Sequence, residues 1–180
     1  MLEGIITSKT RIKLLLKFFI NPDTMAYLRQ LATEFGESTN SVRLELNSLT
    51  KAKILQREKN GNTIAYKANK IHPFFSEIRS IILKHIGIDQ VINSIIDNIG
   101  RPELILLTGD YAKGIDSGII DIIVVGKVDK SELDNYISQA EKLINRKVRY
   151  LLLNNKEFTK LQNKLKNDGI LIIWETKSNH

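Results

Sequence analysis

The sequence predicts an α+β protein built in two parts, residues 1–87 and 88–180, and three observations carry that expectation. Apolar residues recur at helical spacing three times before residue 50, and an Asn-Gly turn between two short β-prone runs follows them. After Gly87 the pattern changes to short apolar strands alternating with amphipathic helices, the mark of a small mixed α/β sheet. The charge balance changes at the same place. Residues 1–87 hold 14 Lys and Arg against 7 Asp and Glu, whereas residues 88–180 hold 13 of each, so the whole +7 excess lies in the first part.

Each element follows from local chemistry. Thr7 or Ser8 can cap a first helix, in which Ile12, Leu15, Leu16 and Phe19 share a face up to Asn21-Pro22. Thr24 is expected to cap a second helix with Leu28, Leu31, Ala32 and Phe35 buried, ended by Gly36. Ser38 caps a third helix, where Val42, Leu46 and Leu49 repeat on one side. Two strand-like runs, Ile54 to Lys59 and Thr63 to Ala68, flank Asn60-Gly61-Asn62, a strong hairpin signal. Beyond His72-Pro73 an amphipathic helix runs from Phe74 to His85, with Phe75, Ile78, Ile81 and Ile82 apolar. Gly87 breaks it, and a further helix from Asp89 to Ile99 carries Val91, Ile92, Ile95 and Ile96.

The second part reads as strand, turn, strand, helix, strand, helix, strand. Its strands are Leu104 to Leu107, Ile119 to Val125, Val148 to Leu153 and Ile170 to Trp174. Its helices are Ser131 to Ile144 and Lys156 to Leu165. Gly109 and Gly114 punctuate the turn after the first strand, and Trp174 is expected in the core.

Composition narrows the chemistry. With no cysteine, disulfides and thiolate metal sites are excluded, which fits a reducing cytoplasm. His72, His85 and His180 are scattered, so no zinc-type site and no cofactor is expected. No signal-like N-terminus or membrane-spanning run is visible. The basic first part suits a polyanion partner, and a plain solvated basic surface is the alternative.

The third helix gives the sharper functional reading. If Val42, Leu46 and Leu49 face inward, then Thr39, Asn40, Arg43 and Asn47 face outward. These are residue types that bond base edges and phosphates in a major groove. The hairpin adds Arg57, Lys59, Asn62 and Lys67. Tyr27-Leu28-Arg29-Gln30-Leu31-Ala32, the run Ser38 to Leu49, Lys53-Ile54-Leu55 and the hairpin up to Tyr66 together resemble winged helix-turn-helix transcription regulators of the ArsR and MarR type. That resemblance implies double-stranded DNA as partner, a homodimer, and contacts from Thr39, Asn40, Arg43, Asn47, Lys59, Asn62 and Lys67. A solvated face in which Arg43 meets Glu37 and Glu45 remains the competing reading.

Residues Leu106 to Val125 carry a second resemblance. Gly109, then Tyr111-Ala112-Lys113-Gly114, then a strand holding Asp121, resemble the nucleotidyltransferase superfamily signature. In that family a Gly-Ser turn cradles the triphosphate and two strand aspartates hold magnesium. The departures imply loss of catalysis: Asp110 stands at the serine position, Ile119 at the first aspartate, and a third acidic position falls near Arg149. One carboxylate does not assemble a magnesium site. Gly109, Asp110, Lys113, Gly114 and Asp121 are therefore expected to be a vestigial nucleotide site. The sequence supports a regulator whose second part dimerises or senses a ligand. The alternatives are an active magnesium-dependent nucleotidyltransferase or modifier of a partner protein, and a pure interaction module.

Overall fold

A computed structural model describes residues 2–98 and 100–176 and shows a mixed α+β chain with two sheets. Ile99 and His180, both named above, lie outside the described residues. The chain divides into two compact units, Met1–His85 and Ile86–His180.

The first unit begins with a short 3-10 turn, Leu2–Gly4, and the helix α1, Lys9–Ile20. Ser8 caps α1, its hydroxyl accepting from the Arg11 N–H at 3.2 Å. The strand β1 is only Ala26–Tyr27, and α2, Leu28–Phe35, starts directly from it. Thr24 therefore does not cap α2. Tyr27 holds the cap position without a side-chain cap bond, because the backbone there pairs antiparallel with a hairpin strand. Gly36 closes α2 in a left-handed conformation, and its N–H bonds the Ala32 and Thr33 carbonyls.

Ser38 then caps α3, Thr39–Lys51, by accepting from the Ser41 N–H at 3.1 Å. Val42, Leu46 and Leu49 are the buried residues of α3, as the helical spacing predicts. The hairpin strands β2, Leu55–Asn60, and β3, Thr63–Ala68, are in register from Leu55↔Ala68 to Asn60↔Thr63. That register leaves a two-residue loop, Gly61-Asn62, with Gly61 at φ +58°. Positive φ at the first loop position matches the right-handed twist of the strands, and glycine adopts it freely. The sheet order is β1-β3-β2. Helix α4, Phe75–Ile86, follows, and Phe75 stacks on Phe19 of α1 with ring centroids 5.5 Å apart.

The second unit holds α5, Ile88–Asn98, and a four-stranded sheet. Its strands are β4, Gly100–Thr108, β5, Ile119–Val128, β6, Lys147–Leu153, and β7, Leu171–Glu175, in the order β6-β5-β4-β7. β5 and β6 run parallel through the crossover helix α7, Lys130–Ile144, and the other pairings are antiparallel. Asp129 caps α7, accepting from the Ser131 and Glu132 N–H groups. A single turn of helix, α6, Gly109–Ala112, leaves the end of β4. Helix α8, Asn155–Asp168, sets Phe158, Leu161 and Leu165 against a cluster of Leu106, Ile123, Val125 and Leu153. Helix α5 packs on β4 and α7. Trp174 is half-buried rather than central, because β7 is an end strand with no fully buried residue. No helix of the described residues is long and apolar enough to cross a membrane.

Candidate functional site

Two places in the fold carry candidate chemistry, and they differ in what holds their charges. In the first unit the outward face of α3 is exposed at Thr39, Asn40, Arg43, Leu44 and Asn47. Helix α1 determines the electrostatics of that face. Arg11 Nε donates to Glu45 at 2.7 Å, and Lys13 Nζ donates to Glu37 at 3.0 Å and to the Phe35 carbonyl at 2.9 Å. The carboxyl of Glu45 is held below its ordinary range: burial opposes ionisation, but hydrogen bonds from Ser8 and Arg11 outweigh it. Both acids that flank Arg43 in sequence are therefore engaged by α1. Arg43 is exposed and has no hydrogen bond or ion pair among the described residues.

Between α3 and the hairpin lies a groove of about 610 Å³. Arg29, Arg43 and Arg57 line it with Tyr27, Asn47 and Asn62, and no carboxylate is among its lining residues. Of the sequence-derived set, Arg43, Asn47 and Asn62 meet in this groove. Thr39 and Asn40 stand in the first turn of α3, outside the lining, and Lys59 is exposed on β2. Lys67 faces the other side of the hairpin: it opposes Gln56, whereas Arg57 opposes Tyr66, and its ammonium is paired with Glu58. Arg29 escapes a reading of the sequence because a helix taken alone gives no sign that its outer residue meets a distant hairpin. Tyr27 escapes it for the same reason, and its hydroxyl accepts from Asn60 Nδ2 at 3.0 Å.

The second place is the turn after β4. Thr108 pairs with Asp121 across β4 and β5, and Asp121 pairs with Arg149 across β5 and β6. Arg149 binds Asp121 through two parallel bonds, Nε to Oδ1 at 2.6 Å and Nη2 to Oδ2 at 2.8 Å. Gly109, at φ +66°, lies so near that a built Cβ would stand 2.4 Å from Asp121 Oδ2. Ile119 opens β5 and contributes no oxygen. Asp110 and Lys113 are exposed, and Gly114 is buried.

Magnesium needs several hard oxygen donors converging on one point. This donor set does not fit it: both Asp121 oxygens already accept from a guanidinium, and the first-aspartate position is isoleucine. Among the described residues no group of three or more His, Asp or Glu is placed to hold a metal.

Asp116 belongs to a separate cluster. The buried Tyr111 hydroxyl bonds Asp116, while Arg146 donates from Nε to the Tyr111 oxygen at 2.8 Å and from Nη2 to Asp116 at 2.8 Å. Burial, then the bond to Asp116 and its charge, pushes the Tyr111 phenol far above its ordinary value. Burial opposes ionisation of Asp116, yet Arg146 and Tyr111 together hold its carboxyl below the usual range. This is an internal brace, and Asp116 is committed to it.

No protein-family model matches the chain, and no curated protein matches it. Among solved structures, reduced HlyU from Vibrio cholerae aligns at 16% identity over 45% of this chain and 77% of its own, with a TM-score of 0.35. A candidate nucleotidyltransferase from Sulfolobus solfataricus aligns at 21% identity over 57% of this chain and 86% of its own, with a TM-score of 0.33. Both superpositions are weak. The functional reading therefore rests on the residues themselves.

Signals for the remaining site residues differ in kind. Arg149 is legible in the sequence as a position without the expected acid, but not as the group that takes both Asp121 oxygens. The parallel register Asp121↔Arg149 creates that pair, and register is a property of the sheet. The Tyr111–Asp116–Arg146 cluster joins residues 30 and 35 positions apart and has no sequence signature.

Proposed function

We propose that this chain is a DNA-binding transcription regulator. Its first unit acts as a winged helix that places α3 in the major groove, with the hairpin as the wing. One observation carries the reading: the outward face of α3 offers an unpaired Arg43 beside Asn47, in a groove lined by three arginines and no acid. Guanidinium and amide groups are suited to the paired donors and acceptors of purine edges, and free cations to phosphate. The competing solvated charged face requires Glu37 and Glu45 to neutralise Arg43, and both are held by α1.

The second unit, in this reading, is nucleotidyltransferase-like without catalysis, and it dimerises or senses a ligand. A homodimer would let two α3 helices meet successive major grooves of one duplex. The Asp121–Arg149 pair supports the non-catalytic part, because breaking it to load a metal would leave a guanidinium facing the cation.

The test is duplex binding by the full chain across a salt series, with selection from a random pool to define sequence preference. Affinity should fall steeply between about 50 and 200 mM salt. Arg43→Ala should cost about 1–3 kcal/mol and relax preference at one position. Absent or salt-independent binding rejects the regulator. Incubation with magnesium and labelled ATP tests the other unit: no transfer is expected, and transfer abolished by Asp121→Asn would restore the catalytic reading.

A further inference from the structure

The zero net charge of residues 88–180 hides a segregation that only the fold displays. Three of the cations are satisfied internally: Arg146 by Asp116, Arg149 by Asp121 and Lys147 by Glu141, at 2.8, 2.6 and 3.0 Å. On α8, by contrast, Lys156, Lys160 and Lys164 are exposed and have no partner among the described residues. Their spacing of four puts them on one face, in a row about 12 Å long at roughly 1.5 Å rise per residue. Exposed Thr159 and Asn163 flank the row.

One acid beside this row is withheld. Glu157 closes a reciprocal cap with Asn154: the Asn154 N–H donates to Glu157 Oε2 at 2.8 Å, and the Glu157 N–H donates to Asn154 Oδ1 at 3.0 Å. Glu103, on β4, accepts from Asn155 Nδ2 at 2.8 Å.

From this arrangement we infer that the lysine row of α8 is a second polyanion-binding surface, and that its partner is the phosphate backbone of a nucleic-acid duplex. It needs no contribution from α3. A duplex carries about one charge per 1.7 Å of axis, so a row of ammonium groups about 12 Å long lies against several phosphates at once. A lipid surface fits less well. A helix that lies on a bilayer inserts an apolar face beside its basic one, and here Phe158, Leu161 and Leu165 are already packed against the sheet. The row holds lysines only, without base-reading amides in a groove, so it adds affinity without sequence preference.

The experiment compares the full chain with its Lys156→Gln/Lys160→Gln/Lys164→Gln variant on a mixed-sequence duplex, with Arg43→Ala in parallel. Circular dichroism verifies that the exposed substitutions leave the helices intact. The slope of log affinity against log salt should shrink by about 2 to 3, since each phosphate that is no longer neutralised removes about 0.9, with sequence preference unchanged. An unchanged slope overturns the inference, even where Arg43→Ala still alters preference and the α3 reading stands. Conversely, a reduced slope beside an ineffective Arg43→Ala keeps the lysine row and removes the α3 reading. Vesicles of phosphatidylserine and phosphatidylcholine form the last arm. If the triple variant loses vesicle binding while its duplex slope is unchanged, the row serves membranes and the inference falls. A parent chain that binds no duplex at any salt overturns it outright.

Discussion

Lys17 lies in the core of the first unit with its side chain 6% exposed, and both carboxylate oxygens of Glu34 accept from its ammonium, at 2.8 and 2.9 Å. Lys17 is the buried member and Glu34 the accessible one; such a pair adds little compared with apolar residues of equal volume, but removing the carboxylate strands a buried ammonium. Glu34→Ala should therefore cost about 3 kcal/mol in urea denaturation, whereas Lys17→Met combined with Glu34→Gln should recover most of that loss. If both variants lose equally, the helices depend on something other than charge compensation at this point. Gly109 poses a different constraint. A side chain there meets a left-handed backbone, and its Cβ would collide with the carboxylate that Arg149 holds. Gly109→Ala should lower stability by more than the roughly 1 kcal/mol that left-handed strain alone costs, because the Asp121–Arg149 pair must also shift. A thermal midpoint equal to the parent's would show that the turn relaxes freely.

Elements are legible in the sequence where one residue type performs a local task. Ser8 and Ser38 cap α1 and α3 as their hydroxyls and positions predict, and the hairpin follows from Asn60-Gly61-Asn62. What escapes is non-local. β1 is two residues long, too short for any period, and exists because β3 offers it a ladder; the same pairing displaces the expected Thr24 cap. The outward face of α3 can be deduced from its buried stripe. The groove beside it cannot, since it joins α2, α3 and the hairpin. The hairpin offers its own test. No atom lies within 4 Å of a Cβ built on Gly61, so a substitution there pays only for its backbone. Gly61→Val should cost about 1–2 kcal/mol, and Asn62→Val clearly less, because Asn62 does not have a positive φ. Equal losses in chemical denaturation would mean that the loop does not keep its positive φ.

At the scale of the whole molecule, acid and base should act on the second unit chiefly through one cluster. Asp116 titrates below the usual carboxylate value of about 3.9 in the folded chain. Its ionised form therefore contributes stability that is complete above that value and is lost as pH falls through the lowered one. Tyr111 works in the opposite sense. Its phenol is raised by burial and by Asp116, so its contribution is complete below about pH 10 and fades only in stronger alkali. Tyr150, pushed up to about 12 by burial and by Asp134, adds to the alkaline side. The single tryptophan of the chain, Trp174, lies in β7 of this unit, so its fluorescence reports the unit's unfolding. The denaturation midpoint by that signal should be level from about pH 5 to 9 and fall below about pH 4. Asp116→Asn should start lower at neutral pH and lose less on acidification, because its amide has no charge to give up. If the variant's midpoint drops as steeply as the parent's between about pH 5 and 3, the acid limb belongs to other carboxylates, and the Tyr111–Asp116–Arg146 brace is not what holds this unit together in acid.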